Sequence, residues 1–271
     1  MWIDRFPKIK SRLQRVRKLP YRVRTGASYV TPQLRNFAAW SFKSREVSNF
    51  TYDLEPLNEE YLASTIALAT GCDAPQALAY IHELTSDREL HAQIIAATMA
   101  SKQTGVSDPV CKFGRRVGWY AFVRILRPKI VVETGVDKGL GAVVLCRALE
   151  RNAAEGYDGH YYGTDIEPSA GWLLDSPFGT ILRGDSIESL RALSDVDLFI
   201  NDSDHSSDYE AREYEVMATR MARGGVMLGD NAHFTNELLK FSLKHGRRFA
   251  FWAEKPKDHW YPGAGIGISF T

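Results

Sequence analysis

The run Ile130-Val131-Val132-Glu133-Thr134-Gly135-Val136-Asp137-Lys138-Gly139-Leu140-Gly141 constrains the fold more than any other stretch of the chain. Its β-branched apolar start predicts a buried strand, its glycines predict a tight turn, and the Ala/Val/Leu-rich residues 142–154 predict a helix. A strand, a tight loop and a helix in that order turn the helix's N-terminal N–H groups toward a ligand. Glu133, just before the first glycine, narrows the choice of ligand. A carboxylate there repels a pyrophosphate and suits a ligand that carries an ammonium group.

From about residue 115 onward, strand and helix patterns alternate. Strands are expected at 130–134, 160–164, 180–183, 196–201, 225–229, 248–253 and 265–270. This pattern predicts an α/β fold: a Rossmann-like, doubly wound, mostly parallel seven-stranded sheet covered on both faces. Only Glu254 to Ala264 separate the last two strands, too few residues for a helical crossover. They are therefore expected to form an antiparallel C-terminal hairpin. Upstream, three helices are expected within 57–103, capped by Asn58, by Asp73 with Gln76, and by Ser86 with Glu89. Residues 25–56 show no clear periodicity, and Gly105 to Gly114 read as a linker. The expected organisation is a basic amphipathic arm (1–24), a helical cap or dimerisation region (25–114) and a ligand-binding domain (115–271).

With 271 residues and 44% hydrophobic content the chain is long enough for one large domain with an appendage. No apolar run approaches the roughly 18–20 residues needed to span a bilayer. Cys72, Cys111 and Cys146 are scattered without metal-ligand spacing, which fits a reducing cytoplasm. Charge is uneven. Residues 1–24 hold nine basic residues against Asp4, a net +8, so a chain of net +1 leaves −7 elsewhere. With Trp2, Phe6, Ile9, Leu13 and Val16 at helical spacing, this arm fits peripheral contact with an anionic membrane, an acidic partner, or a solvated tail. An acidic remainder without a binding module argues against nucleic acid.

The pattern Thr134-Gly-X-X-X-Gly139-X-Gly141 also matches the glycine spacing of short-chain dehydrogenases. Those enzymes need a Tyr-X-X-X-Lys pair, and no lysine here has a tyrosine four residues before it. The later strands point elsewhere. Val196 to Ile200 runs into Asn201-Asp202-Ser203-Asp204-His205, and Val226 to Gly229 runs into Asp230-Asn231, with His233 beyond. Ligands bind beyond the carboxyl ends of such strands. Asp202, Asp230 and Asn231 would supply a hard oxygen set suited to Mg²⁺ or a similar divalent cation if the two strands are neighbours.

On these motifs the chain from about residue 115 resembles a class I S-adenosylmethionine-dependent methyltransferase. Within that class it is similar to the metal-dependent O-methyltransferases of catechol and caffeoyl-CoA type and to macrocin-type sugar O-methyltransferases. The Asp202-Ser-Asp204-His205…Asp208-Tyr209-Glu210 run resembles the signature of the sugar-modifying members. The resemblance implies that S-adenosyl-L-methionine is held by Glu133, Gly135, Asp137, Gly139 and Gly141 of the turn. It further implies Asp165 with Ile166 at the ribose, Asp185 and Ser186 at the adenine, and Asp202 beside the cofactor. Asp202, Asp230 and Asn231 match the family's metal ligands. His205 stands where catechol-type enzymes place a lysine base, and a histidine can serve near neutral pH.

Candidate substrate contacts are Asp204, His233, and His259, Trp260 and Tyr261 on the loop between the last two strands. Arg115, Arg116 and Trp119 fit either a ligand contact or a helix packed on the sheet. The implied reaction is divalent-metal-assisted methylation of a hydroxyl on a small molecule or glycan. Two alternatives stay open: a metal-independent N- or carboxyl-methyltransferase, and a non-catalytic cofactor-binding or membrane-associated protein. The helical N-terminal region would cap the pocket or build a homo-oligomer.

Overall fold

The computed structural model describes residues 7–47, 51–103, 105–230 and 232–271, with side chains from residue 14 onward. Five helices come first: α1 (Pro7–Lys43), α2 (Pro56–Thr70), α3 (Ala74–Thr85), α4 (Arg88–Ala100) and α5 (Arg116–Leu126). Strand and helix then alternate through β1 (Ile130–Thr134), α6 (Leu140–Ala154), β2 (His160–Asp165), β3 (Gly179–Arg183), α7 (Ser186–Arg191) and β4 (Val196–Asn201). The chain continues with α8 (Ser207–Met217), β5 (Met221–Asp230), α9 (Glu237–Lys244), β6 (Arg248–Ala253) and β7 (Gly265–Phe270). Each expected strand is present; β5 begins four residues earlier than its apolar run suggests.

The seven strands are ordered β3-β2-β1-β4-β5-β7-β6. The first five in that order are parallel, and β7 pairs antiparallel with both β5 and β6. Strand order reverses between β1 and β4, and a crevice opens beyond the carboxyl ends of strands at such a reversal. On one face of the sheet Val132, Phe199 and Met227 pack with Leu190 of α7, Tyr214 and Met217 of α8, and Leu238 and Phe241 of α9. This apolar packing fixes the strand ends that carry the polar residues.

The chain divides into two compact units, Arg45–Lys257 with Gly263–Thr271, and Met1–Ser44 with Asp258–Pro262. Helices α2 to α4 lie in the same unit as the sheet. Two expected caps are different. Helix α2 starts at Pro56 behind Glu55, and Asn58 is buried instead, accepting from Lys255 N (2.7 Å) and donating to Ala253 O (3.0 Å). Helix α4 is capped by Asp87, whose carboxylate accepts from Leu90 N (3.0 Å), and not by Ser86.

In the smaller unit α1 runs without a break past residue 24 to Lys43, with Pro20 and Pro32 inside it. The sequence between 25 and 43 hides this because proline is a poor helix-interior residue. Val16, Leu19, Val23, Val30, Leu34 and Phe37 recur at spacings of three, four and seven residues, which lines them along one face. All six are exposed. The same helix holds ten basic residues and no acidic one. Near its end Trp40 lies against Trp260, with ring centroids 4.7 Å apart.

Candidate active site

The turn after β1 is held by the end of β2. Asp165 accepts hydrogen bonds from Val136 N and Asp137 N through one carboxylate oxygen (both 2.9 Å) and from Glu167 N through the other (2.8 Å). Gly135 has φ +81°, and a Cβ there would overlap the backbone of Asp202 at the end of β4. Glycine is thus needed because two strand ends cross closely, a constraint present before any ligand binds. Gly141 serves packing as well: a Cβ there would overlap the Glu133 carboxylate and the Trp119 ring.

Glu133 therefore sits behind the turn and not in the crevice. It is 1% exposed, accepts from Tyr161 Oη, and its pKa is pushed up to about 8 by burial. Period-two alternation along β1 sends its side chain to the face covered by α5 and α6, where Trp119 and Gly141 lie. Gly139 begins α6 with φ +97°.

The crevice is a cavity of about 620 Å³ beyond β1, β2, β3 and β4. Of the residues expected from the sequence, Gly135, Asp137, Asp165, Ile166, Asp185, Ser186, Asp202, Asp204 and His205 line it. Arg115, Arg116, Thr164, Glu167, Gly184, Ser203 and Tyr209 complete the lining. Six carboxyl groups and two guanidinium groups thus share the lining. Ile166 is 72% exposed there, an apolar side chain left at a mouth of acids. Thr164 Oγ1 is buried without a hydrogen-bond partner.

Asp185 caps α7 through Glu188 N (3.1 Å) and accepts from Tyr209 Oη (3.0 Å), while Ser186 Oγ meets the same hydroxyl at 2.9 Å. Below them lies Glu213, which accepts from Ser186, from Asn201 Nδ2 and from Ser203 Oγ (2.7 Å). Burial raises its pKa. Glu213 ties the ends of β4, α7 and α8 together. Sequence reading passed over it, although it follows Glu210 by one helical turn on the same face.

His205 stands between two acids. Its Nδ1 is 3.4 Å from Glu210 Oε1, and its Nε2 is 3.7 Å from Asp202 Oδ1. Glu210 is 2% exposed and also accepts from Thr235 Oγ1, so it is a fixed partner for the ring. Asp204 turns inward to its own loop, accepting from Ser206 N (3.0 Å) and Ser206 Oγ (3.1 Å). His233 lines a separate cavity of about 140 Å³ with Leu238 and Phe249. Its pKa is lowered by burial and by the charge of Arg115. His259, Trp260 and Tyr261 belong to the smaller unit, where Trp260 packs on Trp40 and Phe37.

The expected metal ligands are arranged differently from a metal site. Asn231 lies outside the described residues. Asp230 is 1% exposed, and both its carboxylate oxygens accept from Arg115, through Nε and Nη2. Arg115 Nη1 donates further to Tyr52 Oη (3.0 Å) and Glu254 Oε1 (3.3 Å). Asp202 has Arg116 Nη2 at 3.7 Å. Burial and the neighbouring Asp230 raise the pKa of Asp202; burial also opposes ionisation of Asp230, but Arg115 outweighs it and holds that carboxyl low. Among the described residues no group of three His, Cys, Asp or Glu side chains is placed to hold a metal. A divalent ion about 4 Å from the Arg115 guanidinium would be repelled by about 8 kcal/mol at an effective dielectric near 20, as much as one carboxylate at that range attracts it. Among the described residues, Asp202 and Asp230 with their arginine partners do not fit a divalent cation.

The reversed strand order places this acid-lined crevice at the switch point of the sheet, where open α/β folds bind their ligands. Residues 132–232 match the family model of a methyltransferase domain. Among solved structures the chain is similar to a methyltransferase from Geobacter sulfurreducens, at 15% identity over 66% of this chain and 89% of that one, TM-score 0.48. It is also similar to the O-methyltransferase TomG from Streptomyces achromogenes, involved in tomaymycin synthesis and solved with its methyl donor. There the identity is 13%, the coverage 66% of this chain and 89% of that one, and the TM-score 0.49. No curated protein matches the chain by sequence.

Proposed function

We propose that the chain methylates a hydroxyl oxygen of a small molecule or glycan, with His205 as the base. One observation carries the cofactor side of this reading: six carboxyl groups, an exposed isoleucine and a buried unpartnered threonine hydroxyl line one cavity. Such a lining suits a ligand with cationic groups, ribose hydroxyls and a flat base, and opposes the pyrophosphate of a dinucleotide. When bound, S-adenosylmethionine supplies a methyl group made electrophilic by positively charged sulfur. Asp165 would hold the ribose, and Ile166, Asp185, Ser186 and Tyr209 the adenine end.

Glu210 faces His205 Nδ1 at 3.4 Å, and a proton held on Nδ1 by this carboxylate would leave Nε2 free to accept one. Nε2 is then the atom that takes the hydroxyl proton. The remaining work of the protein is alignment and exclusion of water. No step passes through a metal, because the guanidinium groups occupy the neighbourhood of both carboxyls.

Calorimetric titration with S-adenosylhomocysteine and with NADH, both in excess chelator, tests the reading. Binding of the first and not the second is expected; binding of NADH alone would overturn it. With an acceptor in hand, His205→Ala should lower transfer by about 10²–10⁴-fold while leaving S-adenosylhomocysteine bound.

For α1 we infer contact with an anionic lipid surface. Its ten basic and no acidic residues repel a second copy, and its exposed apolar row gives a face to bury at the interface. No helix among the described residues is long and apolar enough to cross a membrane.

A further inference from the structure

We propose that Arg115 fills the place of a divalent cation at the ends of β4 and β5, and that removing its charge would uncover a metal site at Asp202 and Asp230. The proposal rests on the methyl-transfer reading of the cavity for its catalytic meaning, while its geometry stands on the residues themselves. Asn201 and Gly229 are paired in register on the adjacent parallel strands β4 and β5, so Asp202 and Asp230 are the next residues, side by side, at the two strand ends. Two carboxyls brought together out of water keep a proton on one of them or take a compensating cation. Here that cation is covalently part of the chain.

Arg115 is 4% exposed and spends Nε and Nη2 on Asp230, Nη1 on Tyr52 and Glu254. A guanidinium in this fork geometry cannot lose its proton and matches a carboxylate on both oxygens. It differs from a metal ion in one respect that bears on the substrate. A metal with open positions binds an acceptor through two neighbouring oxygens, whereas a guanidinium that spends four of its five N–H groups on protein acceptors cannot hold two more. The acceptor hydroxyl therefore needs no adjacent oxygen. Arg116, whose Nε is buried without a partner, lines the same cavity and is the arginine placed to meet an acceptor's negative charge.

The test uses the full chain and Mn²⁺, followed by the loss of the free-ion paramagnetic resonance signal, with S-adenosylhomocysteine titrated on the same samples. The wild type should leave the Mn²⁺ signal undiminished, with or without S-adenosylhomocysteine. Arg115→Met should remove one equivalent of free Mn²⁺ at least tenfold more tightly than the wild type, and Arg115→Met with Asp230→Asn should lose that binding. Arg115→Lys, which keeps a charge, should behave as the wild type. Stoichiometric Mn²⁺ binding by the wild type that Asp230→Asn abolishes would overturn the proposal. So would a folded Arg115→Met, judged by its retained S-adenosylhomocysteine binding, that takes up no Mn²⁺. If Arg115→Met does not fold, the wild-type and Arg115→Lys results decide. Failure of the wild type to bind S-adenosylhomocysteine would count against the methyl-transfer reading alone.

Discussion

Glu133 illustrates how a strand's alternation can change the chemistry of a residue that the sequence presents as a ligand contact. Its folded pKa of about 8 lies above the ordinary 4.5 because burial disfavours the charged form. The folded protein therefore holds this proton more tightly than the unfolded chain. The associated stability is fully present below about pH 4.5 and is lost as pH rises toward 8. Glu133→Gln keeps an acceptor for Tyr161 and removes the titration. Urea denaturation should show the variant gaining on the wild type between pH 5 and pH 8.5 by up to several kcal/mol. An equal difference at both values would contradict the assignment. The glycine pattern around this residue was legible in the sequence, but its reason was not. Gly135 meets Asp202, 67 residues away, and only the pairing of β1 with β4 makes them neighbours.

Elements were read more reliably than their ends. Strand positions follow from buried apolar runs, which tertiary structure reinforces. Helix starts depend on one side chain finding one N–H, and Ser86 and Asp87 are both good caps. The structure selects Asp87 because its carboxylate also meets Arg147 (2.8 Å) and Arg151 (3.3 Å) of α6. Asp87→Ala should cost about 2–3 kcal/mol, the sum of a cap and a charged hydrogen bond. Ser86→Ala should change stability by less than about 0.5 kcal/mol. Thermal denaturation of the two variants side by side checks both values. Helix α1 was half legible: its apolar spacing begins in the basic arm, and its prolines conceal the continuation.

At the scale of the whole molecule, charge separation is the property that the sequence shows most plainly and the pairings least. The +8 of residues 1–24 against −7 elsewhere predicts sedimentation with phosphatidylserine-containing vesicles and not with phosphatidylcholine alone. At about 1 kcal/mol per basic residue at the surface, binding should weaken as salt is raised. Salt-independent binding, or equal binding to neutral vesicles, would remove the lipid assignment. The Arg115–Asp230 pair could not be foreseen in the same way, since 115 residues separate its members. What looked like a metal ligand was visible; its partner was not.

Strand β7 is buried along its whole length between β5 and β6, yet it follows both in the chain. On a ribosome β6 is therefore made before the strand it must hydrogen-bond to exists. Until β7 is released, the edges of β5 and β6 that it will cover are both unpaired, and a stalled or shortened chain would keep them open to neighbouring nascent chains.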